Sequence, residues 1–207
     1  TAAGTIVTHG NRVPRFLSTG LDKPASLTGL ATNQTDCLEN ETQLFNSNFE
    51  NGTPGWEFSD QQAWSVIQTD NSNTPALRGE GHVHAFAGDN WGEVVWRMLV
   101  KIIKGNVHLN FHAKDGNRYL VSFSENSTHV MRGGVQFADG MGISHASDKW
   151  HVVEIGLQKG VFYVAVNGDM EIEKMEPDPL PPGGIWLEVL DESEILFDEV
   201  RVCKPGD

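Results

Sequence analysis

A row of polar side chains at strand spacing carries the first chemical signal in this sequence. His108, Asn110 and His112 alternate with Leu109 and Phe111, and Arg118 stands next to Tyr119 a few residues on. Residues two apart on a strand share a face. Leu109, Phe111, Tyr119 and Val121 therefore read as core, and the imidazoles, amide and guanidinium as one polar row. Trp91, in a Gly-Asp-Asn loop, adds an aromatic ring. Sugar sites combine an aromatic face for the C–H side of the ring with planar polar groups for the hydroxyls. Trp91, His108, Asn110, His112 and Arg118 are thus the candidate glycan ligands. The competing reading is an ordinary wet face, with Trp91 closing the edge of the fold.

His82 and His84 lie two apart on a second expected strand. Together with His108 and His112 they would suit zinc, which takes three or four nitrogen or sulfur ligands, if the strands were neighbours. A cupin-like order, His82, His84, Asp89 and later His145, is present in outline, but the flanking glycine and proline of that pattern are missing. Exposed face histidines are the simpler account.

The elements that must position these residues are nearly all strands. From Leu44 onward, short alternating runs are separated by Gly, Asn, Asp and Pro clusters: Leu44–Glu50, Trp64–Gln68, Ala76–Arg78, His82–Ala87, Glu93–Ile103, Val107–Ala113, Arg118–Ser124, Thr128–Arg132 and Val135–Ala138. Further runs follow from Lys149 to Ile155, Val161 to Val166, around Ile185, and Ile195 to Val202. Lys104-Gly105-Asn106 and Asp115-Gly116-Asn117 read as hairpin turns. Strands at this spacing with almost no helical periodicity predict an antiparallel sandwich or barrel. Residues 1–43 differ. They are rich in Thr, Gly, Asn and Pro and form an irregular arm ahead of a domain over 44–207, an arm that must pack on its own domain or on a neighbouring subunit.

The 207-residue chain carries 15 Lys and Arg against 28 Asp and Glu, a net charge of −13. That balance repels nucleic acid and anionic membranes, because phosphate binding needs a basic footprint. No run approaches the roughly 20 apolar residues of a membrane helix; the longest, around Val94–Ile103, is broken by Arg97 and Lys101. The chain begins at Thr1 with no basic-plus-apolar leader, as a mature or trimmed product would. Cys37 and Cys203 would meet if the first and last strands were neighbours, restricting the unfolded chain by about 4–5 kcal/mol; otherwise they are two unrelated buried thiols. Sequons at Asn33, Asn40, Asn51 and Asn126 point, with such a bridge, to an exported glycoprotein.

The order of the landmarks resembles the concanavalin-like, laminin-G-type jelly rolls. Phe49-Glu50-Asn51-Gly52 precedes Gly55-Trp56, and Trp91-Gly92-Glu93 opens a long strand. Trp150-His151 leads to Val166-Asn167-Gly168, and Phe197-Asp198-Glu199-Val200 closes the set. The resemblance covers about residues 44–203 and implies a two-sheet jelly roll. It also implies a structural calcium shared by Glu50, after the first strand, and Asp198, in the last. Hydrolases of this fold carry a Glu-x-Asp-x-(x)-Glu strand with carboxyls about 5–5.5 Å apart. The nearest match is Glu171-Ile172-Glu173-Lys174-Met175-Glu176, with Glu in place of Asp and directly after the Asn167-Gly168 turn. His-x-Asn and Trp-Gly-Glu resemble galectins, but Trp91 precedes the His-Asn strand where theirs follows it, so that site does not carry over. Since the fold hosts many activities, three expectations stand: a secreted, non-catalytic carbohydrate-binding module; a subunit of an extracellular assembly that uses the arm for strand addition to copies of itself; and, third, a glycoside hydrolase.

Overall fold

Alternating apolar and polar residues between glycine-rich turns give a chain that is almost entirely strand. The computed structural model describes residues 31–69, 74–140 and 144–206. Their strands are β1 (Thr42–Ser47), β2 (Glu57–Phe58), β3 (Trp64–Gln68), β4 (Pro75–Glu80), β5 (Val83–Trp91), β6 (Val95–Lys104), β7 (Val107–Lys114) and β8 (Asn117–Phe123). They continue with β9 (Thr128–Arg132), β10 (Val135–Asp139), β11 (Trp150–Gln158), β12 (Val161–Val166), β13 (Asp169–Met175), β14 (Gly183–Val189) and β15 (Glu194–Lys204). All pairings are antiparallel. One sheet runs β13-β12-β11-β6-β15-β4-β3, with β1 also on β15; the other runs β10-β9-β8-β7-β14-β5-β2. The fold is a concanavalin-like jelly-roll sandwich. Among the described residues, one 3-10 turn at Gln61–Ala63 is the sole helical element.

The two sheets share one core. Trp96, Met98, Val100 and Ile102 of β6 face it from the first sheet, and Leu109 and Phe111 of β7 with Ile185, Leu187 and Val189 of β14 from the second. Asp115-Gly116 and Asn167-Gly168 are hairpin turns whose residues have positive φ, as a two-residue turn matching strand twist requires. Lys104-Gly105-Asn106 behaves differently from its predicted hairpin role. β6 pairs with β11 and β15, whereas β7 pairs with β14 and β8. The link crosses from sheet to sheet, because the apolar sides of β6 and β7 face each other across the core rather than side by side. Gly105, at φ +80°, passes so close to Ser193 that a Cβ would lie 2.2 Å from its Oγ.

The described part of the arm, residues 31–41, lies on its own sandwich. The outer face of the first sheet carries Arg97, Glu154, Tyr163, Arg201 and Cys203, which alternate with core residues. Cys37 is disulfide-bonded to Cys203, and Arg201 holds Thr35 and Asp36. Arg97, 1% exposed, sits between Glu154, at 2.6 Å from its Nε, and Glu41. Thr32 donates to Glu154 at 3.3 Å. Burial disfavours the charge on Arg97, but the bonds and charges of Glu41 and Glu154 outweigh it and raise the guanidinium pKa. The rest of the arm, including the β-branched run at Thr5–Thr8, falls outside the described residues.

Candidate functional site

The site is built from cross-strand register. Along β14, Ile185, Leu187 and Val189 enter the core, so Trp186 and Glu188 must face outward. Register then places Trp186 between Phe86 of β5 and Asn110 of β7, and Glu188 between His84 and His108. Extending across β8, Asn110 is opposite Leu120 and His108 opposite Ser122. Two parallel rows therefore cross the outer face of the second sheet.

Aromatic and charged groups meet in these rows. Phe86 and Trp186 pack edge to face, with centroids 4.9 Å apart, and Arg118 lies over the Trp186 ring at 5.6 Å. Glu188 is the polar centre. Its Oε2 accepts from Asn110 Nδ2 at 3.1 Å and faces His108 Nδ1 at 3.2 Å, while Oε1 faces His84 Nε2 at 3.3 Å. Burial alone would raise the Glu188 carboxyl; the bonds from His108 and Asn110, the charge of His108 and the bond from His84 together pull it down to about 2. Asn110 is fully buried, and its Oδ1, itself shielded from solvent, has no partner among the described residues. A buried acceptor left unpaired costs about 1–3 kcal/mol.

Of the five predicted ligands, the structure brings together His108, Asn110 and Arg118. The other two stand elsewhere. Trp91 ends β5 and packs on the core beside Phe45, centroids 5.8 Å apart; Gly88 admits its ring, because a Cβ there would lie 2.4 Å from it. His112 occupies a bulge at φ +50°, is 3% exposed, and contacts Gly92 O at 2.7 Å and Leu180 O at 3.2 Å through its two ring nitrogens. Burial lowers its pKa, and the two carbonyls offset this in part. Sequence reasoning missed Phe86, Trp186 and Glu188. The alternation Ile185-Trp-Leu-Glu-Val189 was the available signal, hidden behind the Pro-Pro-Gly-Gly run that reads as a turn.

The remaining predicted residues fall as follows. β1 pairs with β15, Ser47 opposite Val200, which sets Glu50 and Asp198 at the same end of neighbouring strands. Asp198 is buried and is pushed up to about 6, by burial first and then by the charges of Glu199 and Glu50, against a bond from the Glu199 N–H and the charge of Arg201. Asn33, Asn40, Asn51 and Asn126 are all exposed. Glu171–Glu176 lies on or next to β13, at the end of the first sheet's strand order. Glu171 is tied inside to His145, Oε1 to Nε2 at 2.7 Å, and both side chains are 2% exposed.

The His145 pair has a testable pH signature. Burial works against the charged imidazole, but Glu171 and the Ser124 carbonyl outweigh it and raise the His145 pKa. The folded state then binds the proton more tightly than the unfolded chain. Its stabilisation is complete below about pH 6.5 and is lost as pH rises through the raised value. Melting temperature should fall over that interval, and Glu171→Gln should flatten the decline. An unchanged slope in Glu171→Gln would remove His145 as its source.

No protein-family profile and no curated protein matches the sequence. Solved structures do. A carbohydrate-binding module, CBM66 from Bacillus subtilis, superposes with a TM-score of 0.55 at 15% identity, covering 72% of this chain and 94% of that one. Domain 4 of AbnA, an extracellular arabinanase of Geobacillus stearothermophilus solved with arabinotriose, gives 0.62 at 13% identity over 81% and 94%. The beta-glucanase of Bacillus licheniformis gives 0.64 at 13% over 76% and 96%. At these identities the likeness is one of fold. No helix among the described residues is long and apolar enough to cross a membrane.

Proposed function

We propose that this chain is a secreted carbohydrate-binding module whose ligand, a neutral polysaccharide, lies across the outer face of the second sheet. The observation that carries the reading is the Phe86–Trp186 pair flanked by Arg118, Asn110 and Glu188. A sugar ring stacks on the Phe86–Trp186 pair, Arg118 donates to its hydroxyls, and Glu188 accepts from them. A surface with a net charge of −13 suits neutral chains over acidic ones. Export is supported by the Cys37–Cys203 bridge, since disulfides persist in oxidising compartments, and by the four exposed sequons. The test is a polysaccharide array with soluble-ligand titration. Saturable binding by the parent, lost in Trp186→Ala and weakened in Arg118→Ala, is expected; binding indifferent to both would reject the face.

A structural calcium at Glu50 and Asp198 belongs to the same proposal. Two carboxylates on neighbouring strand ends are the hard oxygen donors this ion takes, with backbone carbonyls completing six to eight ligands. Calcium at about 100 times its dissociation constant would add about 2.7 kcal/mol. A chelator should therefore lower the melting temperature, and Glu50→Gln should abolish the difference. Equal melting with and without calcium would discard the site.

A further inference from the structure

We propose that the end of this face holds a zinc-class divalent ion on His82 Nε2, His84 Nε2 and Glu188 Oε1, with the fourth position open. The three ligand atoms lie within 4.8 Å of one another. Oε1 is 3.3 Å from His84 Nε2 and 3.7 Å from His82 Nε2. Zinc bonds of about 2.0–2.1 Å in a tetrahedron set ligand atoms roughly 3.3 Å apart, so His84 and Glu188 already stand at that separation. His82, 50% exposed, is free to close the remaining gap.

The surrounding groups orient this set. Glu188 Oε2 is engaged by Asn110 and His108, which turns Oε1 toward His82 and His84. His82 Nδ1 faces Asp191 at 3.7 Å, the arrangement by which an outer carboxylate fixes the tautomer of a ligating histidine. His84 and Glu188 sit on paired strands in direct register, so their backbones are held by the sheet and not by a loop. Two imidazoles and one carboxylate are a borderline-soft donor set, which zinc accepts and which calcium and magnesium, preferring all-oxygen shells, do not. The strand order also explains why four histidines do not combine: β14 lies between β5 and β7 and supplies a carboxylate where a second histidine strand would be needed. The inference does not depend on the glycan reading, as its ligands meet whether or not Trp186 binds sugar.

The experiment is calorimetric titration of tag-free, chelator-stripped full chain with zinc alone, followed by cobalt in place of zinc. One equivalent of zinc, and the visible d–d bands of tetrahedral cobalt, are expected. His82→Asn and Glu188→Gln should each weaken binding by about tenfold or more. His82→Asn alters an exposed side chain, so its reading does not depend on how the fold tolerates the loss of Glu188. Absence of saturable zinc uptake, or uptake that His82→Asn leaves intact, would overturn the site.

Discussion

Replacing Arg97 with methionine is expected to destabilise the sandwich by about 3–5 kcal/mol, because it strands Glu41 and Glu154 in the interior without their cation. For a chain of this size the melting temperature should drop by about 10 °C. The cost lies in the orphaned carboxylates more than in the lost pair. Adding Glu41→Gln and Glu154→Met to the Arg97→Met variant should therefore recover most of the loss, as buried ion pairs exchanged for neutral, well-packed groups often break even. Urea denaturation of the single and triple variants measures both quantities. A single variant within 1 kcal/mol of the parent would mean that the strap of residues 31–41 opens readily and lets water reach the acids.

Removing the Cys37–Cys203 bridge is the second large change. The cysteines are 166 residues apart, so the bridge closes nearly the whole chain, and the chain-entropy estimate for its loss is about 5 kcal/mol. The paired Cys37→Ser, Cys203→Ser variant should unfold at a lower denaturant midpoint with a similar slope. It should also expose Arg97 and Arg201, because the bridge anchors the segment that covers them. Equal midpoints for the bridged and unbridged protein would show that hydrogen bonds and ion pairs hold the strap unaided.

These two sites illustrate what a sequence discloses about such a fold. Period-2 alternation placed most strands to within a few residues, since each strand declares which of its faces is apolar. Pairing is non-local and was harder to read. The two-residue link at Gly105-Asn106 is compatible with a hairpin or with a crossing between sheets, and only the shared core decides. Arg97 looked like a break in an apolar run, yet it is the centre of a buried ion triad, because its partners come from Glu41 and Glu154 far along the chain. β13 was passed over as a strand, because its acids were weighed only against the hydrolase pattern, directly after the Asn167-Gly168 turn.

The candidate site was partly legible for the same reason. His108, Asn110 and Arg118 could be placed on one face from β7 and β8, consecutive strands joined by a tight turn. Trp186 and Glu188 come from β14, about seventy residues later, and enter the face only because β14 inserts between β5 and β7. Trp91 drew attention because it stands in a polar loop, but a loop tryptophan with Gly88 beneath it is held against the core. His112 followed the period of its strand until the bulge turned it to the carbonyls of Gly92 and Leu180.

The central claim is that the outer face of the second sheet is the binding surface. The most direct measurement is to follow backbone amide resonances while a soluble oligosaccharide from the highest-ranking polysaccharide on the array is added. Shifts concentrated at Phe86, Asn110, Arg118, Trp186 and Glu188, with the first sheet and the strap undisturbed, are the predicted result. Saturable shifts centred on the first sheet or on the loop at Trp91, with Trp186 silent, would contradict it.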